Sequence, residues 1–208
     1  MSGILALQGG GPFAANDDLD RRLIAAASAE RVVVLPTADA YEHPERLIAA
    51  ALGWAERLEV MVEALMVMRR SEAMDESAVA VVRGARAVYL VGDQPLHLRS
   101  VLKATPLWEA ICQTVADGGV VAATGGSAAA MCDPMVDPRG GAFTLGLGLI
   151  DGLALVTEAE TWSTDRLHRT LKLANTPIVE LPSGSALVHT SDGWERVGAM
   201  TVHGDLPS

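Results

Sequence analysis

The sequence predicts an α/β fold: a three-layer, doubly wound and mainly parallel sheet, with helices on both faces and antiparallel strands at one edge. Through roughly the first 125 residues, short β-branched or aliphatic runs alternate with longer stretches of helical period, the pattern of a buried parallel sheet joined by crossover helices. Half of the residues are hydrophobic and a fifth charged, with 4% aromatic, so the core is built from Ala, Val, Leu, Ile and Met. Beyond residue 140 the texture changes to glycine-rich turns and short strands, which places the antiparallel elements late in the chain.

The elements follow in order. Strands are expected over 3–8, 32–37, 60–68, 87–91 and 119–124. The helices between them are expected over 16–29, 42–57, 74–83, 95–103 and 106–117. Each helix is amphipathic; near 42–57, for example, Leu47, Ala51, Trp54 and Leu58 recur at spacings of three and four and define one apolar face. The run Leu23-Ile24-Ala25-Ala26-Ala27 has the small side chains that let a helix approach a sheet closely. Late strands are expected over 153–157, 178–181, 186–190 and 194–202, with one helix over 163–174 and a hairpin turning at Ser191-Asp192-Gly193.

The chain has 208 residues, a length that fits one domain with a sizeable core, so a single unit over 1–208 is expected. Its net charge of -10, with no basic run longer than Arg69-Arg70, argues against a nucleic-acid partner, which would need a basic stripe to displace counterions. Cys112 and Cys132 are the only cysteines, far apart and without companion ligands, so buried thiols are expected rather than a metal site or disulfide framework. The opening run Gly3-Ile4-Leu5-Ala6-Leu7 is too short for a signal peptide, and no apolar run reaches the ~20 residues that span a bilayer. A cytoplasmic location without membrane contact is the expectation, and a homodimer is compatible with it.

The stretch Gly118 to Met131 carries the most chemistry. A buried strand, Val120-Val121-Ala122-Ala123-Thr124, runs into Gly125-Gly126-Ser127 and then into Ala128-Ala129-Ala130, small residues able to open a helix. This is the layout of a nucleophile elbow, in which a tight strand-to-helix turn lifts a serine hydroxyl above the sheet. The helix start just beyond it offers free N–H groups to a developing oxyanion. The same residues also read as a serine N-cap on the helix that follows. Two residues after the serine, the elbow signature has glycine and this chain has Ala129.

On these residues the chain resembles the dipeptidase E and cyanophycinase family of serine peptidases, within the class I glutamine amidotransferase-like superfamily. The family motif G-x-S-A-G-A is similar to Gly125-Gly126-Ser127-Ala128-Ala129-Ala130. Its preceding strand, ending in G-G-D-Q, is similar to Tyr89-Leu90-Val91-Gly92-Asp93-Gln94, with Val91 in place of one glycine. Gly9-Gly10-Gly11, Leu35-Pro36-Thr37-Ala38 and Gly146-Leu147-Gly148-Leu149-Ile150 match further landmarks in the same order, so the resemblance spans roughly residues 3–175. It implies Ser127 as nucleophile, the Gly92 and Ala128 amides as oxyanion hole, and a pocket to which Gly10, Gly11, Asp93, Gln94, Gly126 and Trp162 contribute. It implies hydrolysis of small acidic or isoaspartyl peptides; neither a cofactor nor a metal is expected, because the sequence has no ligand cluster and its glycine loop departs from the dinucleotide fingerprint.

The departure comes where the chemistry needs a base. A serine hydroxyl needs a partner to take its proton, usually a histidine oriented by an acid. The family histidine follows the strand after G-L-G-L-L; here that region reads Leu155-Val156-Thr157-Glu158-Ala159-Glu160-Thr161-Trp162, and Glu160 is assigned to the position. A carboxylate with an ordinary pKa of about 4.3 is a weak proton acceptor unless burial raises it. His97 and His168 lie nearest in sequence to the expected pocket, His168 one or two helical turns beyond it. A relative of impaired activity that binds a small ligand or partner through the same pocket is the alternative. Gly9-x-Gly11-x-x-Ala14 also matches part of a dinucleotide fingerprint, but Pro12 interrupts the loop and Asp39 falls too late for the ribose acid.

Overall fold

The structure is a computed structural model that describes residues 2–207. In chain order its elements are β1 (Ile4–Gln8), α1 (Asp17–Ala26), β2 (Arg31–Leu35), α2 (Pro44–Leu58), β3 (Met61–Ala64), α3 (Glu76–Arg83) and β4 (Ala87–Leu90). There follow α4 (Pro95–Leu102), α5 (Pro106–Ala116), β5 (Val120–Thr124), α6 (Gly126–Met131), β6 (Cys132–Asp133), β7 (Met135–Val136) and β8 (Phe143–Thr144). The chain ends with β9 (Ile150–Asp151), β10 (Ala154–Thr157), α7 (Thr164–Leu173), β11 (Ile178–Leu181), β12 (Ala186–Thr190), β13 (Gly193–Val197) and β14 (Thr201–His203).

The main sheet has the order β13-β12-β1-β5-β4-β2-β3. The five strands from β1 to β3 are parallel, and β12 and β13 add to the β1 side as an antiparallel edge, as the pattern predicts. Alternation along each strand sorts side chains to two cores. Leu5, Leu7, Val33, Leu35, Val88, Leu90, Val121 and Ala123 face one side, where α3, α4, α5 and α6 pack. Ala6, Val32, Val34, Ala87, Tyr89, Val120 and Ala122 face the other, against α1 and α2. The apolar face read from α2 is the one that packs, with Ala51, Trp54, Ala55 and Leu58 buried.

Two expected strands are corrected. The run 60–68 is paired only over Met61–Ala64, because its neighbour β2 ends at Leu35 and the last ladder bond is from Leu65 N–H to the Val34 carbonyl. The run 194–202 is two strands: Gly198, at φ 75°, breaks it, so β13 stays in the main sheet while β14 joins a second sheet of order β10-β11-β14. That second sheet packs Ala154, Val156 and Ile178 against Leu167 and Leu171 of α7.

Four parallel strand ends, at Gln8, Leu35, Leu90 and Thr124, open on the same edge of the sheet, the edge at which open α/β sheets bind ligands. Beneath it, on the α1 and α2 side, lies a buried polar network. Tyr89 donates to Gln8 Oε1 at 2.7 Å, Thr124 to the Tyr89 oxygen at 2.8 Å, and Gln8 to Asp20 Oδ1 at 2.6 Å. Trp54 Nε1 donates to the other Asp20 oxygen at 3.1 Å. Burial pushes the Asp20 carboxyl up to about 6, against the opposing pull of the Gln8 and Trp54 donors. The network ties the end of β1 to the ends of β4 and β5, whose loops form the site. No described helix is long and apolar enough to cross a membrane.

Candidate active site

Ser127 stands at the start of α6, one residue past the strand-to-helix turn. Gly125 makes that turn at φ 62° and ψ -132°, and a side chain there would also strike Asp93 Oδ1. A methyl on Gly126 would meet the Asp93 backbone at 2.6 Å. Gly92, at φ 110°, ends the neighbouring strand so tightly that a β-carbon would lie 2.8 Å from the backbone of Ala38 and Asp39. These glycines let three chain segments converge on the serine. Ala129 fits where the elbow signature has glycine: it is buried, and its N–H reaches the Gly125 carbonyl at 3.2 Å. Val91, in place of the second family glycine, is absorbed into the core on the α2 side.

The Ser127 hydroxyl is buried and donates to the Gly92 carbonyl at 3.1 Å, and the Ser127 N–H reaches the same carbonyl at 2.9 Å. Among the described residues no histidine is hydrogen-bonded to it. His97 reaches the Met68 carbonyl at 3.0 Å and lies against Tyr41. His43 pairs with Glu45, His189 packs on Trp194, His203 pairs with Glu180, and His168 is exposed on α7.

Beside the elbow lies a cavity of about 210 Å3. Asp93, Gly126 and Ala129 form its elbow wall; Thr157, Glu158, Thr161, Trp162 and Arg166 stand among its other lining residues. Of the residues expected in the pocket, Asp93, Gly126 and Trp162 line it, and Gly10 lies directly under Glu158. Gly11 instead opens the turn toward α1, its carbonyl accepting from Ala14 and Ala15, and Gln94 is exposed at the start of α4.

Of the two glutamates that follow β10, it is Glu158 that reaches the cavity. Glu160, assigned to the histidine position from the sequence, turns outward and accepts from the Ser183 N–H at 3.1 Å; the Ser183 side chain first, and then backbone N–H groups, hold its carboxyl below the usual range against burial. The reason is backbone geometry. Glu158 directly follows β10 in the left-handed region, at φ 48°, with its N–H on the Gly9 carbonyl, and this turn aims its side chain over Gly10. Burial, then the charges of Asp93 and Glu160, raise the Glu158 carboxyl above its ordinary value. Asp93 is raised as well, by burial on its inner side and by Asp39, against the opposing bond from the Gly126 N–H.

Sequence reasoning did not single out Arg166. Its guanidinium lies 3.9 Å from the Trp162 ring centroid and donates to the Pro138 carbonyl at 3.0 Å, while its buried Nε has no partner among the described residues. Trp162 both packs against the α7 core and walls the cavity. An arginine one turn along the expected helix from a tryptophan was the only available signal.

A wound, mainly parallel sheet with a serine just past the turn after a central strand is the α/β architecture that the resemblance to class I glutamine amidotransferase-like proteins implies. Among solved structures, the chain is similar to a peptidase from an acI-B1 Actinobacterium, with TM-score 0.86 and 25% identity over 98% of this chain and 90% of that one. It is also similar to a protein provisionally assigned as peptidase E from Listeria monocytogenes EGD-e, with TM-score 0.68 and 16% identity over 98% of both chains. These likenesses show the fold that the resemblance implies. No protein-family model matches the chain, and no curated protein does.

Proposed function

We propose that this chain is a peptidase-type hydrolase of small peptides bearing an acidic group, with Ser127 as nucleophile and Glu158 as proton acceptor. The observation that carries the reading is the gathering of Gly126 and Ala129, which flank Ser127 on the elbow, a carboxylate of raised pKa and an arginine with an unused buried N–H around one cavity. At about 210 Å3 the cavity suits one or two amino-acid residues rather than a folded protein. Arg166 supplies a donor for a carboxylate, which accords with acidic or isoaspartyl substrates.

In this reading the Ser127 hydroxyl leaves the Gly92 carbonyl, its oxygen bonds the scissile carbonyl carbon, and its proton passes to Glu158. The Gly92 and Ala128 N–H groups hold the oxyanion. The proton then goes to the departing amine, and water cleaves the acyl-serine ester with Glu158 again accepting a proton. Burial makes Glu158 a better base than a free carboxylate, and with no imidazole bonded to Ser127 among the described residues turnover is expected to be slow.

A specific observation favours a second reading, a binding protein of impaired activity: the Ser127 hydroxyl is buried and already engaged, with no histidine among the described residues bonded to it. Fluorophosphonate labelling with peptide mapping, together with hydrolysis of aspartyl and isoaspartyl dipeptides, separates the two. Labelling at Ser127 and slow hydrolysis lost in Ser127→Ala supports the hydrolase. Calorimetric binding of the dipeptides without label or turnover supports the binding protein, and absence of all three overturns both.

A further inference from the structure

We infer that the outer edge of β3 is a docking surface for an extended, cationic segment of another polypeptide, which adds to the seven-stranded sheet as one more strand. The surface is separate from the candidate active site: β4 and β2 stand between β3 and β5, the strand that carries the elbow.

β3 ends the sheet and pairs only with β2 among the described residues. Met61 N–H reaches the Glu30 carbonyl at 3.1 Å and Leu65 N–H the Val34 carbonyl at 2.9 Å, so the alternate residues 61, 63 and 65 face β2. Val62 and Ala64 therefore turn their N–H and C=O groups outward, where no partner lies among the described residues. Edge strands are commonly blunted by proline, lysine or a bulge. The run from Val60 to Met66 contains neither proline nor lysine, and the register of β3 against β2 is unbroken. Its one charge, Glu63, is paired with Arg31 of β2.

Beside this edge an open groove of about 910 Å3 runs between β3 and α2. Leu52, Val60 and Met61 give it apolar walls, and Leu52 and Met61 are 51% and 61% exposed. Apolar side chains left in water along an unpaired strand mark an interaction surface. The charges select the occupant. Glu30, Glu56 and Glu59 line the same groove without an ion pair among the described residues, and no lysine or arginine lines it. A second copy of the chain, pairing edge to edge across a twofold axis, would bring these glutamates toward their own equivalents, in a chain whose net charge is -10. A segment that carries lysine or arginine among apolar residues meets both features of the groove, and its backbone meets the free N–H and C=O groups of β3.

The test uses the full chain and fluorescein-labelled, capped octapeptides built from alternating pairs of residues, so that a strand shows both residue types on each face. One is made of lysine and valine, one of glutamate and valine, and a third is the lysine peptide with every backbone nitrogen methylated. By fluorescence anisotropy the lysine peptide is expected to bind, and the other two to bind at least about tenfold more weakly. Val62→Pro removes one outward N–H and leaves the bonds to β2, so it is expected to weaken the lysine peptide about fivefold. Glu56→Lys combined with Glu59→Lys is expected to weaken it about tenfold. Amide hydrogen exchange reads the strand directly: the lysine peptide should slow exchange at Val62 and Ala64 and leave Met61 and Glu63 unchanged. Absence of binding, or binding indifferent to methylation and to Val62→Pro, overturns the inference. So does a dimer in sedimentation velocity that Val62→Pro dissociates, because a second copy then covers β3. Methylation of the peptide leaves the protein untouched, so the answer stands even if Val62→Pro disturbs the fold.

Discussion

The carbonyl of Gly92 accepts both the N–H and the hydroxyl of Ser127, at 2.9 and 3.1 Å, so one peptide group holds the nucleophile in its resting orientation. That carbonyl is aimed by a backbone only glycine adopts without strain, at φ 110° and with no room for a β-carbon. Gly92→Ala is therefore expected to cost about 2–4 kcal/mol, combining left-handed strain with a clash against the backbone of Ala38 and Asp39. Ser127→Ala, which removes one hydrogen bond, is expected to cost only about 1 kcal/mol. Urea unfolding of both variants checks the order; equal costs would show that the loop gives way easily.

Asp20 makes stability depend on pH. Its carboxyl is pushed up to about 6 in the fold from an ordinary 3.8, so the folded state holds a proton that the unfolded chain releases. Between those values the folded state binds more protons, and stability falls as pH rises through the window. The contribution is on the order of 3 kcal/mol, present near pH 4 and lost above pH 7. Urea midpoints at pH 5 and 7.5 should show a steeper fall for the wild-type protein than for Asp20→Asn. The Asn variant tests the slope rather than the absolute stability, because its NH2 must face one of the two donors from Gln8 and Trp54.

Much of this was legible in the chain. Alternation marks Leu5, Leu7, Val33 and Leu35 as strand residues, and helical spacing marks the Trp54 face of α2, because burial of one face is a local pattern. Gly126 and Ser127 were legible because a tight turn restricts residue type, whereas Gly92 and Asp93 were legible only through the family resemblance. Strand ends were less so: residues 65–68 carry the same apolar pattern as β3, and only the length of β2 decides that they go unpaired. The site carboxylate was legible only to within two residues. Glu158 and Glu160 are chemically alike, and which one enters the cavity is decided by a left-handed backbone at Glu158 and a bond from the distant Ser183.

Glu158 sits in the site at a stability cost. A non-glycine residue in the left-handed region costs about 1 kcal/mol or more, and the nearby charges of Asp93 and Glu160 oppose ionisation of the same side chain. Glu158→Gly relieves both, and is expected to raise stability by about 1 kcal/mol at neutral pH while removing the proton acceptor. A thermal melt paired with the fluorophosphonate labelling rate checks the trade. A variant both less stable and less reactive would contradict it.

Gly10 is expected to matter for reactivity more than for stability. Gly10→Ala places a methyl against Ser183 Oγ and Glu158 Cγ, yet both contacts are side chains and not backbone, and both can swing away. The melting temperature should hardly change, while Glu158 leaves its position over the glycine. The labelling rate of Ser127 is expected to fall toward that of Glu158→Gln. A large loss of stability would instead show Glu158 to be rigidly held.

The sharpest contrast is between Glu158→His and Glu160→His. Replacing the residue that enters the cavity puts an imidazole, with an ordinary pKa of about 6.5, where the weaker carboxylate base stood. The left-handed conformation at position 158 is one that histidine tolerates better than most residues. A positioned general base typically contributes about 10²–10⁴-fold, so Glu158→His should speed Ser127 labelling at pH 7.5 by tenfold or more over the wild-type carboxylate. The gain should titrate in near pH 6.5, as the imidazole loses its proton, and vanish in the Ser127→Ala background. Glu160→His removes the acceptor for the Ser183 N–H without bringing a base to the cavity, so it should leave the labelling rate unchanged or lower. Stopped labelling at a series of pH values, followed by peptide mapping, measures both. If Glu160→His proves the faster variant, then position 160 and not 158 faces the nucleophile in solution, and the placement of the proton acceptor argued above is wrong.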